Sequence, residues 1–141
     1  MSERSTVVYV GGPFRAKGVM GEYVSLEDVL MRENITNAVD VTIRLINNGF
    51  SVVCPHLFCL LANGSSKCLE EAPSREVMLA VDWELLSRCD IMYVIGHSEG
   101  TDEEIELAIQ RGIPVVYTYH DVMDQHIKMT ATSAEGGDDS E

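Results

Sequence analysis

The chain has few positive charges, few aromatic residues and no long apolar run. Its 141 residues include 10 Lys and Arg against 23 Asp and Glu, so the formal net charge is −13. Nucleic acid and anionic membranes repel such a chain, and neither is expected as a partner. No run approaches the roughly 20 apolar residues of a membrane span, and the first six residues are too polar for a signal peptide. Length and composition predict one domain with a core of ordinary size.

The four cysteines lack the spacing of a metal site or a redox motif. Cys59 and Cys68 form no C-x-x-C with the others, and His56 and His97 complete no zinc pattern. No metal and no cofactor is therefore expected. Cys54 and Cys89 border apolar strand and helix ends, which predicts buried free thiols. Free thiols favour a reducing cytoplasm as the location.

The clearest local pattern covers residues 91–116, which read as strand, loop, helix, turn and strand. Residues 91–95 are a short apolar run, as in a strand buried on both faces of a parallel sheet. Asp102 is the predicted N-cap of the helix, and Gly112 is predicted to end it in a left-handed conformation.

Glu104 is predicted in the first turn of that helix, directly after a loop over residues 96–101. The loop follows a strand, and open α/β sheets bind ligands at the carboxyl ends of their strands. An acidic first turn also has a purely structural explanation, because it complements the helix dipole.

Similar patterns predict the other elements of an α/β domain over residues 1–129. Further strands are expected at 6–10, 51–54 and 115–119, and further helices at 34–48, 73–89 and 121–129. The result is a three-layer sandwich with a parallel, flavodoxin-like or Rossmann-like sheet of four to five strands. Residues 19–32 are interpreted as a lid or insertion, 57–72 as a flap or a disordered surface loop, and 130–141 as an acidic, disordered tail.

The loop after the first strand reads GGPFRAKG and carries Arg15 and Lys17. Gly11 and Gly12 would let the backbone approach a ligand closely, and Arg15 can make a forked contact with a phosphate. It is neither a Walker loop nor G-x-G-x-x-G. The alternative is a mobile turn with two solvated cations.

Five short motifs occur in a fixed order along the chain. They are VYVGGPFR from Val8, N-I-x-x-A from Asn34, C-P-H-L from Cys54, D-x-x-L-L-x-R-C-D from Asp82, and S-x-G-x-x-x-E from Ser98 to Glu104. Together they resemble the nucleoside 2-deoxyribosyltransferase superfamily, which also contains nucleoside 5′-monophosphate N-glycosidases. The resemblance covers most of residues 7–117, but diverges over 22–31 and 64–74.

The resemblance implies an enzyme that acts on an N-glycosidic bond. Glu104 would be the nucleophile at C1′, Tyr9 would orient it through a hydrogen bond, and Asp82 would approach base and sugar as proton donor or positioning group. The structural alternatives are an ordinary strand aromatic for Tyr9 and a solvated helix residue for Asp82. Relatives are homodimers or larger assemblies, so at least a homodimer is expected.

Ser98 decides the expected substrate. The transferases that use free nucleosides typically have an acid at this place, whereas the nucleotide hydrolases have a serine that can donate to phosphate. A phosphate cradle is expected from Gly11, Gly12, Arg15, Ser98 and Gly100. Phe14 and His56 are candidates to touch the base, Phe14 by stacking.

The favoured reaction is hydrolysis of a (deoxy)nucleoside 5′-monophosphate to free base and (deoxy)ribose 5-phosphate. Two alternatives stay open. One is base exchange between deoxynucleosides, and the other is a non-catalytic nucleotide-binding protein of the same fold.

Overall fold

The structure is a computed structural model that describes residues 5–12, 26–57 and 75–139. Side chains are described over 5–12, 33–56 and 76–131. Phe14, Arg15 and Lys17 lie outside these ranges, as do Cys59 and Cys68. Most of the expected lid and flap also lies outside them.

The strands form one parallel sheet. Their order is β2-β1-β3-β4, with β1 at Val7–Gly11, β2 at Ser51–Val53, β3 at Ile91–Val94 and β4 at Val115–Val116. In the central pair, Val8 lies opposite Ile91 and Gly11 lies opposite Val94. The predicted α/β fold with a flavodoxin-like parallel sheet is confirmed, with four strands.

Helices follow the strands in chain order. They are α1 at Leu26–Asn47, α2 at Arg75–Ser87, α3 at Glu99–Gln110 and α4 at Tyr119–Asp139, with a 3-10 turn at Pro55–Leu57 after β2. None of the helices in the described ranges is long and apolar enough to cross a membrane.

Alternate residues of each central strand face opposite helical layers. Val8, Val10, Ile91 and Tyr93 pack with α1 and α4 through Leu45 and Val122. Tyr9, Met92 and Val94 pack on the other side with α2 and α3 through Leu86 and Ala108. The period of two in a strand therefore places Tyr9 beneath the helices that carry Asp82 and Glu104.

Asp90 joins α2 to the sheet. The backbone N–H of Val7 donates to Asp90 Oδ2 at 2.8 Å, and the N–H of Asp90 donates to the Val7 carbonyl at 2.8 Å. Asp90 thus shapes the helix-to-strand turn, as the sequence predicts. Cys54 and Cys89 are buried free thiols, also as predicted, and burial raises the pKa of Cys89 to about 12.

The first helix is longer than predicted. It begins at Leu26 and not at residue 34, so residues 26–32, which were interpreted as part of a lid or insertion, are helical. Leu26, Val29 and Leu30 already have helical spacing, but the polar run Arg32-Glu33-Asn34 interrupts the apolar period before Ile35 and hides the continuity of the helix. The C-terminal prediction is confirmed, because α1 ends at Asn47 and Gly49 has φ +92°.

The last two elements also differ from the prediction. The strand β4 covers only Val115–Val116, and α4 begins at Tyr119, a residue expected in the strand. That helix continues to Asp139, so the backbone of 130–138 is helical where a disordered tail was expected. The Thr130 hydroxyl donates to the His126 carbonyl at 3.0 Å and continues the helical pattern past residue 129.

Gly112 ends α3 with φ +72°, in the predicted left-handed conformation. Replacing it with Ala should lower the free energy of unfolding by about 1–2 kcal/mol, because a Cβ opposes this backbone region. Gly112→Asn is the matched control and should lose less, since Asn tolerates the conformation. Urea denaturation measures both, and equal stability of Gly112→Ala and wild type would contradict the assigned turn.

Candidate active site

Three predicted catalytic residues meet between the sheet and two helices. Tyr9 on β1 is fully buried, Glu104 on α3 is 9% exposed, and Asp82 on α2 is half-buried. Burial raises the pKa of Tyr9 far above its usual value, and the charges of Glu104 and Asp82 raise it further. The phenol therefore lies within electrostatic range of both carboxyl groups. We call these three residues the acid–tyrosine cluster.

Each member of the acid–tyrosine cluster has a buried polar atom without a hydrogen-bond partner in the described part of the chain. The atoms are the Tyr9 hydroxyl oxygen, Asp82 Oδ1 and Glu104 Oε2. The Tyr9 hydroxyl lies close enough to Glu104 to lower the pKa of the carboxyl, but the two groups fall short of full hydrogen-bond geometry. Unsatisfied buried polar atoms are costly, and a native structure retains them chiefly where they serve a function.

The pKa values of the two carboxyl groups are both raised toward neutral pH. Burial is the main cause that raises the pKa of Glu104 to about 7, with smaller contributions from Asp82 and Glu103. Burial alone raises the pKa of Asp82 to about 6. Both groups can therefore exchange protons in the range where general acid–base chemistry operates.

The cap of α3 corrects the sequence-based prediction. Ser98 is the N-cap and not Asp102, because the helix already begins at Glu99. Glu104 consequently lies in the second turn and not in the first. The N–H of Thr101 donates to Ser98 Oγ and the N–H of Asp102 donates to the Ser98 carbonyl. The backbone N–H groups that can attract an anion are therefore those of Glu99 and Gly100.

Thr101 is a site residue that sequence reasoning missed. It is 2% exposed, and its Oγ1 lies 2.8 Å from Ser98 Oγ. Its backbone N–H donates to Ser98 Oγ at 3.2 Å. A hydroxyl residue three positions after a serine N-cap, in place of the acid of a capping box, is the signal that would have identified it.

The three glycines of the expected cradle differ in their surroundings. A Cβ on Gly11 would lie 2.7 Å from Met92 Cε, and one on Gly12 would lie 2.6 Å from Ile95 Cγ1. Close approach of β1 to β3 therefore accounts for both. A Cβ on Gly100 would meet no atom of the described residues within 4 Å, so among these residues nothing covers this turn of α3.

Gly11 also links the cradle to the acid–tyrosine cluster. The same Cβ position on Gly11 lies 3.7 Å from Thr101 Cγ2 and 3.9 Å from Tyr9 Cε1. The capped turn of α3 and the ring of Tyr9 therefore meet around the end of β1. The strand order reverses between β1 and β3, which is where doubly wound sheets bind ligands.

The two residues expected to touch the base are not both described. His56 is 3% exposed in the turn after β2. Phe14 and Arg15 fall outside the described residues. Within the described ranges, no three His, Cys, Asp or Glu side chains are placed to hold a metal ion.

Comparison with protein families gives a match over most of the chain. Residues 6–118 match a family model described as a domain of unknown function, DUF7768. The chain belongs to this family. No curated protein and no solved structure matches the chain.

The DUF7768 match covers the four strands and ends just before α4 begins at Tyr119. It also includes Tyr9, Asp82 and Glu104. The acid–tyrosine cluster and the capped turn of α3 therefore belong to the family domain itself. Helix α4 lies beyond the matched residues, although Val122 contributes to the core.

The raised pKa of Glu104 predicts a specific pH dependence of stability. The unfolded carboxyl has its ordinary value of 4.5, and the folded one a value of about 7. The folded state therefore binds more protons between these values, and the stability from protonated Glu104 is lost as pH rises through about 7. Glu104→Gln should reduce the fall in unfolding free energy between about pH 5 and pH 8 by roughly 1–3 kcal/mol.

Urea denaturation at the two pH values measures this difference. Glu106→Gln is the matched control, because Glu106 is exposed on the same helix and is not among the charges that raise the pKa of Glu104, and it should behave like wild type. An identical pH dependence in Glu104→Gln and wild type would mean that the carboxyl is not held protonated by burial.

Proposed function

We propose that the protein hydrolyses the N-glycosidic bond of a nucleoside 5′-monophosphate, with Glu104 as nucleophile. The observation that carries the proposal is the acid–tyrosine cluster, with its buried polar atoms that lack partners in the described residues. Cleavage through a sugar cation uses two carboxyl groups, one as nucleophile and one as acid and base, and the Tyr9 phenol can orient the nucleophile by a hydrogen bond. The motif resemblance to nucleoside 2-deoxyribosyltransferases and nucleotide N-glycosidases supports the same chemistry.

The reaction proceeds in two balanced steps. The Glu104 carboxylate forms a bond to C1′ as the C1′–N bond breaks, and the departing base nitrogen takes the electron pair and a proton from the Asp82 carboxyl. Water then attacks C1′ of the glycosyl ester and gives its proton to the Asp82 carboxylate. This releases (deoxy)ribose 5-phosphate and restores the Glu104 carboxylate.

The protonation states set a requirement for this mechanism. Glu104 keeps its proton to a higher pH than Asp82, whereas the first step needs an ionised Glu104 and a protonated Asp82. Positive charge that develops on the sugar favours the Glu104 carboxylate. A hydrogen bond donated by Tyr9 would stabilise the same ionised form, so the phenol assists the proton redistribution.

Features of the capped turn support a 5′-phosphate on the substrate. The N–H groups at the start of α3, the Ser98 hydroxyl and the open space at Gly100 suit an anion. If Thr101 Oγ1 donates to Ser98 Oγ, the Ser98 proton is free to donate to a phosphate oxygen. The phosphate would then lie on the Thr101 side of Gly11, close to the acid–tyrosine cluster.

A second candidate is base exchange between free deoxynucleosides, in which a second base replaces water. The observation that favours it is the exposed acidic surface of the same turn, formed by Glu99, Asp102 and Glu103. These negative charges would repel a phosphate dianion but not a neutral nucleoside.

Loss of the nucleophile tests the chemistry. Glu104→Gln should keep the fold and ligand binding but reduce base release at least ~100-fold, because amide oxygen does not form the glycosyl ester. Glu103→Gln should retain near-normal turnover. Free base released from a panel of nucleoside monophosphates is measured by chromatography.

Two outcomes would overturn the covalent mechanism. Near-normal base release by folded Glu104→Gln would exclude Glu104 as nucleophile. Tight binding of nucleotides by wild type without any base release would instead favour a non-catalytic nucleotide-binding protein.

Ser98→Asp distinguishes nucleotide from nucleoside substrates. Aspartate is itself a good N-cap, so α3 should remain capped while a hydroxyl donor is replaced by a negative charge. Loss of a hydrogen bond to a charged group costs ~1.5–3 kcal/mol, so kcat/KM for the monophosphate should fall about 10–100-fold. Activity on the nucleoside with the same base should change far less.

The comparison requires one base presented as nucleotide and as nucleoside to wild type and variant. Gly100→Ala is a companion variant, since its Cβ meets no atom of the described residues within 4 Å and should hinder a ligand bound at the turn. Equal losses of kcat/KM on both substrates would mean that no phosphate binds at this turn. That result would favour base exchange over hydrolysis.

A further inference from the structure

A second group of polar side chains lies on the face of the sheet opposite the acid–tyrosine cluster. Tyr93 on β3 is 9% exposed and belongs to the core layer beneath α1 and α4. Tyr119, the first residue of α4, packs against the same layer. The guanidinium of Arg44 on α1 lies over the Tyr119 ring, with Cζ 3.7 Å from the ring centroid. We call these three residues the arginine–tyrosine cluster.

The members of the arginine–tyrosine cluster lie within electrostatic range of one another. Burial raises the pKa of Tyr93, the charge of Arg44 lowers it, and Tyr119 raises it. Three elements that are distant in the sequence, α1, β3 and α4, therefore bring one guanidinium and two phenols together.

The hydroxyl groups of this cluster lack acceptors. The Tyr119 oxygen is buried and has no hydrogen-bond partner among the described residues. The Tyr93 hydroxyl, on a ring that is nine-tenths buried, also makes no hydrogen bond to a described residue. A buried hydroxyl without a partner is costly, so each such group needs an explanation. An acceptor that enters from outside would satisfy both phenols.

Arg44 lies over this cluster although an acid is available on its own helix. Asp40 is one turn earlier on α1, at the i,i+4 spacing that favours an ion pair. Arg44 nevertheless forms no ion pair with a described residue, whereas Arg88 pairs with Glu84 at 2.9 Å. Stacking covers one face of the guanidinium and leaves the N–H groups along its edge able to donate.

The donors of the cluster and the charge of the chain define the ligand they suit. A guanidinium and two phenols favour an oxyanion, because all three groups can donate to negatively charged oxygen. The site supplies one cation, and the chain has a net charge of −13, so a dianion would be repelled more than a monoanion. Contact with the buried Tyr119 hydroxyl also removes water from the ligand, which costs a dianion more. A carboxylate has a single charge and two acceptor oxygens.

We propose that the arginine–tyrosine cluster binds the carboxylate of a small organic acid. The edge of the Arg44 guanidinium and the hydroxyls of Tyr93 and Tyr119 donate to its two oxygens. The acid is small because only a compact group can reach a buried hydroxyl. This site lies across the sheet from Glu104, and the proposal does not depend on the proposed hydrolysis.

The test uses Tyr119→Phe and acetate as the probe. The variant removes the hydroxyl and keeps the ring beneath Arg44. Without acetate it should be at least as stable to urea as wild type, because the lost hydroxyl has no described partner.

Acetate should reverse this order of stability. At about pH 7 the urea midpoint of wild type should rise with acetate concentration and level off, because the ligand binds the folded state. In Tyr119→Phe the half-maximal acetate concentration should be about 10–100-fold higher, as expected for loss of a hydrogen bond to a charged group.

Matched controls separate this site from general effects of salt and of mutation. Sodium chloride at equal ionic strength accounts for screening of the net charge. Tyr117→Phe should match wild type, because Tyr117 is 53% exposed and lies outside the cluster. Arg44→Gln should lose the acetate response, whereas Arg111→Gln, at the exposed end of α3, should keep it.

Several results would overturn the proposal. Equal midpoints in acetate and chloride would exclude the site, and so would an acetate response in Tyr119→Phe equal to that of wild type. A stronger response to inorganic phosphate than to acetate would reject the carboxylate. In NMR titrations, a saturable acetate-induced shift of the Arg44 Nε–H signal would support the cluster, whereas saturable shifts only elsewhere would reject it.

Discussion

Parallel pairing of β1 with β3 is the constraint on which the site depends. The register of Val8 with Ile91 and Gly11 with Val94 sets the ends of the two strands side by side. It also turns Tyr9 toward α2 and α3, where Asp82 and Glu104 lie. A shift of one residue in β1 would turn Tyr9 toward α1 and α4 and separate the phenol from both acids. The register of the sheet therefore determines whether the three residues of the acid–tyrosine cluster lie close together.

The acid–tyrosine cluster opposes the stability of the core that contains it. The apolar layer around Leu86, Met92 and Ala108 removes water from the carboxyl groups, and this raises their pKa values. The same desolvation strengthens electrostatic interactions with a developing charge. The protein therefore keeps, at the centre of this layer, polar atoms that have no hydrogen-bond partner among the described residues, and such atoms are costly to bury.

Sequence reasoning predicted the elements that have a strong local signal. The short apolar runs identified the strands, and Gly49 and Gly112 marked two helix ends correctly because left-handed backbone strongly favours glycine. The resemblance carried by the ordered motifs assigned Tyr9, Asp82 and Glu104 to one site, and the three residues lie close together in the structure. The cap of α3 was misplaced because Asp102 and Ser98 are equally good caps by type.

Close contact between the strand ends has a consequence for how ligand preference can change. A methyl group at Gly12 would lie 2.6 Å from Ile95 Cγ1, whereas one at Gly11 would meet the flexible end of Met92, 2.7 Å away at Cε. A side chain at Gly12 therefore requires Ile95 to move, while a shift of the Met92 methyl group would make room at Gly11. The first turn of α3 is less constrained, because a Cβ on Gly100 meets no described residue within 4 Å, so this turn can vary while the sheet beneath stays unchanged.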